Sequence, residues 1–428
     1  MNPILSRYPA LGSPRYRRYW LGSFASVGAT QLVTMGQGWV VYELSESAFM
    51  LGLLGFAASV PNILMTLFGG VIADRFDKRR ILMATSSSTA IALAALTLLD
   101  ATGQIAVWHV LVIAAFNSAI TGLDWPTRSA LFPLLVERPA YLSAVALNMF
   151  IWQSTRMALP ALGGLILLVA DSWVVFALGA TGFFTMFLVL SSLSVAHSAA
   201  EKRSALDEIR EGLAFIFASP LFLSLMLLSF SVSFFSTCYV QILPVFADLL
   251  GRGEAAYGTL LSAGGVGSVL GTLIIGGGKD RPRLGMLMLS SACASGVLLM
   301  AFAVAASNGF YLASLALATA AALFSSCFMV LAMSVLQLLV PDSLRGRVMG
   351  LYTMGFALVP LGGLMLGSIS EASSAVLALV ISNLLMIVLF TLLGFRQRQI
   401  RGLSSDALTA TMTAEDSLEE DEARASAG

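Results

Sequence analysis

Apolar runs close to the roughly 20-residue length that crosses hydrocarbon as a helix recur along this chain, separated by short polar turns. The pattern predicts twelve spans, near 19–42, 49–73, 81–99, 106–124, 143–168, 173–195, 221–246, 257–278, 284–305, 309–333, 348–369 and 373–395. In lipid every backbone N–H and C=O must be satisfied internally, so each such run has to close its own hydrogen bonds as a helix. The expected fold class is all-α and integral to a membrane.

Composition agrees: 57% of residues are hydrophobic, 11% are charged and the mean hydropathy is +0.86, against roughly 25% charged in soluble domains. The basic start MNPILSRYPALGSPRYRRYW leads into an apolar run as a signal peptide does. That run is too long and lacks a small-residue cleavage site, so it is expected to stay as the first span. Cys238, Cys293 and Cys327 sit inside apolar runs without close spacing, as small buried hydrophobes do, and suggest neither disulfides nor zinc. With both termini cytoplasmic, every Lys and Arg except Arg156 and Arg252 falls in a cytoplasmic segment. The opposite orientation would invert that bias, so a multi-pass protein of the cytoplasmic (inner) membrane is expected.

The two halves of the chain repeat. LLVERPAYLSAVAL (134–147) echoes LLVPDSLRGRVMGL (338–351), and LPALGGLIL (159–167) echoes VPLGGLML (359–366), each about 200 residues on. A six-helix unit used twice in parallel describes a transporter architecture whose substrate path lies where the halves meet. The expected organisation is a first bundle over 1–198, a cytoplasmic linker over 199–220, a second bundle over 221–397 and a disordered acidic tail over 398–428. In the linker, EKRSALDEIREGLAFIF places Leu206, Ile209, Leu213 and Ile216 at near-helical spacing, as in an amphipathic helix lying on the membrane.

Between spans 2 and 3 stands GGVIADRFDKRR, with six charges in its last seven positions. Gly70, Asp74, Arg75, Lys78 and Arg79 match the Gly-x-x-x-Asp-Arg-x-Gly-Arg-Arg turn of the major facilitator superfamily, which the chain resembles over residues 15–397. Asp77 stands where that family usually has glycine. WVVYELSESAFMLGL, DWPTRSALFPLLV, STRMALPALGG and VPDSLRGRVMGL are similar to the branch containing the enterobactin exporter and related small-molecule efflux proteins. A carboxylate such as Asp74, ending helix 2, is stabilised by the positive N-terminus of a neighbouring helix by about 0.3–1 kcal/mol. The resemblance implies that this neighbour is helix 11, near Val348, and that the pair is a latch biasing one state of the transporter. Anchoring of orientation is the plainer alternative, although it needs cations and no carboxylates. Asp124 and Arg128, four residues apart in span 4, can pair with each other or with Lys78 and Arg79.

Arg156 lies near the middle of span 5, where an Arg costs at least ~2.5 kcal/mol unless it meets a partner or water. Either it faces a substrate path, where its planar fork suits oxyanions, or it ties helix 5 to carbonyls of a neighbour. Thr30, Thr34 and Gln37 share one helix face, as do Asn117, Thr121 and Asp124, and as do Ser229, Ser233 and Ser236. The resemblance implies a cavity lined mainly by helices 1, 4, 7 and 10. Small hydroxyls also serve helix packing, whereas Gln31, Gln37, Asn148 and Gln153 are bulkier and harder to explain that way. The candidate substrate contacts are Arg156, Gln31, Thr34, Gln37, Asn117, Asn148 and Gln153.

No span carries an Asp or Glu at its centre, so the candidate proton carriers are Glu43, beside Tyr42 and Trp39, and Asp124. GGVGSVLG (264–271) lacks the strand and Gly-Lys-Ser/Thr of a phosphate loop, and His109 and His197 match no metal spacing. No cofactor, metal or nucleic-acid partner is expected. A membrane enzyme would need a nucleophile, base or metal cluster that does not assemble here. The expected function is secondary transport: export of a siderophore or drug-like compound by alternating access in antiport with protons, with an anionic cargo if Arg156 faces the path. Import, lipid translocation and a transporter-shaped sensor are the alternatives, and the expected partners are the bilayer, the cargo and protons.

Overall fold

The computed structural model describes residues 8–193, 205–276 and 283–402, and within them the chain is almost wholly helical. The first six long helices are α1 (Pro14–Ser45), α2 (Ala48–Arg75), α3 (Lys78–Ala101), α4 (Val107–Leu131), α5 (Tyr141–Val169) and α6 (Ser172–Ser191). A linker helix (Ala205–Ala218) leads to a second series. This comprises α7 (Pro220–Leu249), α8 (Gly253–Gly276), α9 (Leu284–Ser307), α10 (Tyr311–Leu339), α11 (Leu344–Ala372) and α12 (Ala375–Gly394).

Ten of these helices are long and apolar enough to cross a membrane by length and hydropathy alone. The other two, α1 and α5, are longer than most but less apolar, because α1 carries Thr30, Gln31, Thr34 and Gln37 and α5 carries Asn148, Gln153 and Arg156. The helices that dilute the hydropathy signal are therefore those with the most mid-span polar residues.

Several ends are set by local chemistry. Ser13 caps α1, its hydroxyl accepting from the Tyr16 N–H at 3.3 Å, and Pro14 follows at the first helical position. Asp77 caps α3, accepting from the Arg80 N–H at 3.0 Å, so the residue replacing the family's glycine starts the next helix. The α3–α4 and α9–α10 turns each rely on a glycine with positive φ, Gly103 at 67° and Gly309 at 75°. They occupy equivalent places in the two series, as an internal repeat requires.

Within the first series α2 packs on α4, α3 on α6, and α1 on α5 and α6; within the second, α8 packs on α10 and α9 on α10 and α12. The two series meet mainly through α5 against α8 and α2 against α11. Because the chain crosses back and forth, the molecule has a linker end, carrying the linker helix and the α2–α3, α4–α5 and α10–α11 turns. Its far end carries the α1–α2, α3–α4, α5–α6, α7–α8, α9–α10 and α11–α12 turns.

Candidate functional site

Between the two series lies a cavity of about 520 Å³. Helices 1, 4, 7 and 10 all contribute to its wall, through residues such as Thr34, Asn117, Tyr239 and Ser325, with further residues from α2, α5 and α8. Toward the far end the lining is buried, with Leu51 and Tyr257 1% and 4% exposed. Toward the linker end it includes exposed Thr121, Thr272 and Phe356. The cavity therefore closes at the far end and opens toward the linker end.

Six of the seven predicted substrate contacts are on this wall: Gln31, Thr34, Gln37, Asn117, Gln153 and Arg156. Asn148 is not, because two turns of α5 separate it from Arg156 and carry it toward the linker end. Arg156 is exposed and supplies the only charged side chain in the lining among the described residues. Among the described residues its side chain makes no hydrogen bond or ion pair; its charge instead acts on the nearby Tyr239 phenol.

Pro160 accounts for part of this geometry. It has no N–H to offer the Arg156 carbonyl four residues back, and the next amide, Ala161 N–H, donates across the seam to Ser262 Oγ of α8 at 2.9 Å. A β-carbon at Gly265 would lie 2.9 Å from the Cα of Met157, so α8 presses directly on the stretch of α5 that presents Arg156.

Of the serine stripe on α7 only Ser236 reaches the cavity; Ser229 and Ser233 are buried in packing, and Ser229 Oγ donates to the Leu225 carbonyl at 2.8 Å. The predicted face fails because α7 widens into a π turn over Val232–Ser236 and then tightens to 3₁₀ over Thr237–Ile242. This break frees carbonyls that neighbours must meet: Ser382 Oγ donates to the Phe235 carbonyl at 2.7 Å, and α11 approaches closely where Gly362 faces the Phe234 carbonyl. Such breaks often accompany functional sites. Asn62 and Gln241 also line the cavity and are absent from the predicted set, although both are bulky amides within apolar runs, the same signal that marks Gln31.

The predicted charge network divides. Asp124 pairs with Arg128 and accepts from Thr85 Oγ1 at 2.8 Å, while Arg128 Nη1 donates to Ser26 Oγ at 3.1 Å. Both side chains are nearly buried, at 16% and 12% exposed, so the pair is a fixed joint among α1, α3 and α4. Arg79 does not join it. Its guanidinium donates to the carbonyls of Leu190 and Ser191 at 2.7 and 2.6 Å, capping α6 where the helix dipole favours a cation. Lys78 opens α3 beside it. Gly70, Asp74 and Arg75 close α2, but the side chains of residues 67–75 lie outside the described part of the structure.

At the far end, Glu371 near the end of α11 meets the start of α2, accepting from Ser47 Oγ at 3.0 Å and from the Phe49 N–H at 3.4 Å. Tyr42 OH donates to Asp248 at 3.1 Å, another link between the two series. Glu43 is exposed nearby, with Glu254 and Asp100 close enough to act on its charge.

The sequence pattern of the transmembrane secretion effector family matches residues 5–425. The chain belongs to that family. The enterobactin exporter EntS of Shigella boydii serotype 18 is 26% identical over 404 residues, covering 92% of this chain and 96% of that protein. EntS of Escherichia coli O139:H28 matches to the same extent. Among solved structures, a bacterial homologue of the lysosomal transporter Spinster superposes with a TM-score of 0.68 at 14% identity, covering 92% of this chain and 96% of that one. The D-xylose-proton symporter superposes at 0.65, also at 14% identity, covering 94% and 99%. The fold is thus that of the major facilitator superfamily, and the protein is a multi-pass membrane transporter, not an enzyme.

Proposed function

We propose that the protein exports a small anionic molecule, rich in oxygen, from the cytoplasm across the inner membrane. The observation that carries this reading is Arg156, the single charge among the described residues on the wall of a largely apolar cavity. A guanidinium left without an anion there is costly, and its fork suits carboxylate or other oxyanion groups. The resemblance to enterobactin exporters supports outward transport of a siderophore-like or drug-like compound, and the bias of Lys and Arg toward the linker end supports a cytoplasmic linker and termini.

Transport then proceeds by rocking of two six-helix halves, 1–198 and 221–397, about the cavity. The antiparallel α2–α11 pair offers a carboxylate at each end: Glu371 against the start of α2 at the far end, and Asp74 for the start of α11 at the linker end. Only one of these contacts is made in a given state, so each biases the end it closes. Antiport with protons supplies the energy. Of the two candidate carboxylates, Glu43 is exposed to the far side, whereas Asp124 is held by Arg128 and Thr85.

The test is export from cells, or uptake into inverted vesicles, by Arg156→Lys and Arg156→Gln at matched membrane abundance. Selective loss of an anionic compound relative to a neutral one is the expected result. Parallel loss of both, in variants that reach that abundance only at raised expression, would make Arg156 structural. Undiminished proton-dependent uptake by Glu43→Gln would exclude Glu43 as the carrier.

A further inference from the structure

The 3₁₀ stretch of α7, Thr237–Ile242, belongs to the second series yet packs on α2 of the first as well as on α11. Its residues Thr237, Tyr239, Val240 and Gln241 line the cavity. Half-buried Gln241 enters the α2–α11 seam between two glycines. A β-carbon at Gly55 of α2 would have the Gln241 amide as its three nearest atoms, at 3.1–3.3 Å, and one at Gly363 of α11 would lie 2.8 Å from the Gln241 Cβ. Neither glycine has a positive φ, so backbone conformation does not call for glycine at either place, and in a helix interior glycine is destabilising relative to alanine. The pair forms a notch cut for one side chain. Gly55 is also on the cavity wall, three residues further from the far end than Gly52, so the notch lies at the cavity edge of the closed seam.

The stretch is held in this form at a cost. At the end of the π turn the Thr237 N–H donates to the Val232 carbonyl, five residues back, and the Thr237 hydroxyl is buried without a hydrogen bond. In regular helix Thr30, Thr97, Thr127 and Thr319 each donate to the carbonyl four residues back, and a regular α7 would offer Thr237 the Ser233 carbonyl in the same way. Buried polar groups are overwhelmingly paired, so contacts outside the stretch must stabilise the break, and Gln241 in its notch is one that exists only while α2 and α11 are together. We infer that Thr237–Ile242 is the far-end gate of the cavity and that Gln241 is the positioning residue that holds it shut. While α2 and α11 meet, the Gln241 side chain fills the notch and the break persists. When they part, the notch is lost, α7 recovers regular helix through Thr237, and the cavity opens to the far side. The inference rests on alternating access about this cavity, not on the charge or identity of the cargo.

The experiment measures the rate at which a maleimide labels the purified full-length protein carrying Leu51→Cys, without cargo, over the background of the native cysteines. Gly363→Ala should speed labelling by about tenfold, because the new methyl meets the Gln241 stem, which cannot swing aside. Gln241→Ala should speed it by about fivefold, because the notch is emptied. Gly55→Ala then separates a fitted key from general packing: it should slow labelling of the Gln241→Ala protein, where it refills the notch, and not that of the parent, where the notch is full. Thr237→Val should slow labelling of the parent by about fivefold, the scale of one net hydrogen bond, since the closed form loses no bond and the regular helix loses one. Unchanged labelling in Gln241→Ala, equal slowing by Gly55→Ala in both backgrounds, or faster labelling in Thr237→Val overturns the inference. Should Gln241→Ala fail to fold, Gly363→Ala and Thr237→Val decide: faster labelling in the first with slower labelling in the second supports the gate, and any other pattern overturns it. None of these rates depends on Arg156, so the reading of the cargo stands or falls separately.

Discussion

The two ends of the molecule hold their helices by different means. At the far end the two series touch backbone to backbone. A β-carbon at Gly164 of α5 would lie 2.8 Å from the Glu254 carbonyl oxygen of α8, and one at Gly52 of α2 would lie 2.7 Å from the Cα of Leu364 in α11. Gly258 faces the Pro160 carbonyl and Gly367 that of Ala48. Without a hydrophobic driving force between helices in lipid, such close approach is what lets dispersion and polar backbone contacts hold them. At the linker end the described ion pairs stay local. Asp124–Arg128 lies inside the first series, and Glu211–Arg347, at 2.7 Å, ties the linker helix to α11. Small residues thus make most of the seam, and the described ion pairs hold the parts on either side of it.

The contrast can be broken most severely at Arg128. Removing one partner of a nearly buried pair strands the other, at a cost of about 3–5 kcal/mol. Arg128→Leu should therefore lower the thermal unfolding temperature sharply, and Asp124→Leu together with Arg128→Leu should recover much of it. Strict additivity of the two substitutions would mean that the pair is not a unit. Next in size is Gly258→Val, where the new side chain meets the α5 backbone and overpacking costs about 1–3 kcal/mol. Because that cost falls only on the closed seam, the expected result is faster labelling of a cysteine placed at buried Leu51, with each half still folded. A smaller effect is expected at Glu371, whose contacts are exposed. Glu371→Gln should shift the same labelling by about fivefold, the order of 1 kcal/mol for a charge at a helix start. Smallest is Arg347→Gln, since Glu211 is 57% exposed and such pairs contribute about 0–1 kcal/mol. Stability should barely move, and a large loss would assign the linker a greater structural part.

Much of the helical frame is legible in the sequence, because span length and hydropathy leave a membrane chain few options. The repeated LGG of 159–167 and 359–366 stands at both seams: Gly164 faces α8, while its counterpart Gly363 faces Gln241 of α7 and offers its carbonyl to the approach of Gly52 in α2. Arg156 is legible too, from depth and charge alone. The break in α7 is not, since no Pro or Gly marks Val232–Ser236 and its cause is tertiary: Ser382 and Gly362 lie more than a hundred residues away. The same holds for Glu371, an ordinary helix-end carboxylate until packing brings the start of α2 beside it. Arg79 misleads for the same reason, because the carbonyls that end α6, more than a hundred residues on, take its guanidinium.

The account turns on a seam closed at the far end while the linker end is open. Spin labels at Thr102 and Ser307 report the far end, one in each series, and labels at Ser129 and Ser334 report the linker end. Pulsed electron–electron distance measurements on the two pairs, with and without Gly258→Val, test this directly. The account predicts that the substitution lengthens the Thr102–Ser307 distance and shortens the Ser129–Ser334 distance. If both distances move in the same direction, or neither moves in a folded protein, the two ends are not coupled through this seam and the account is wrong.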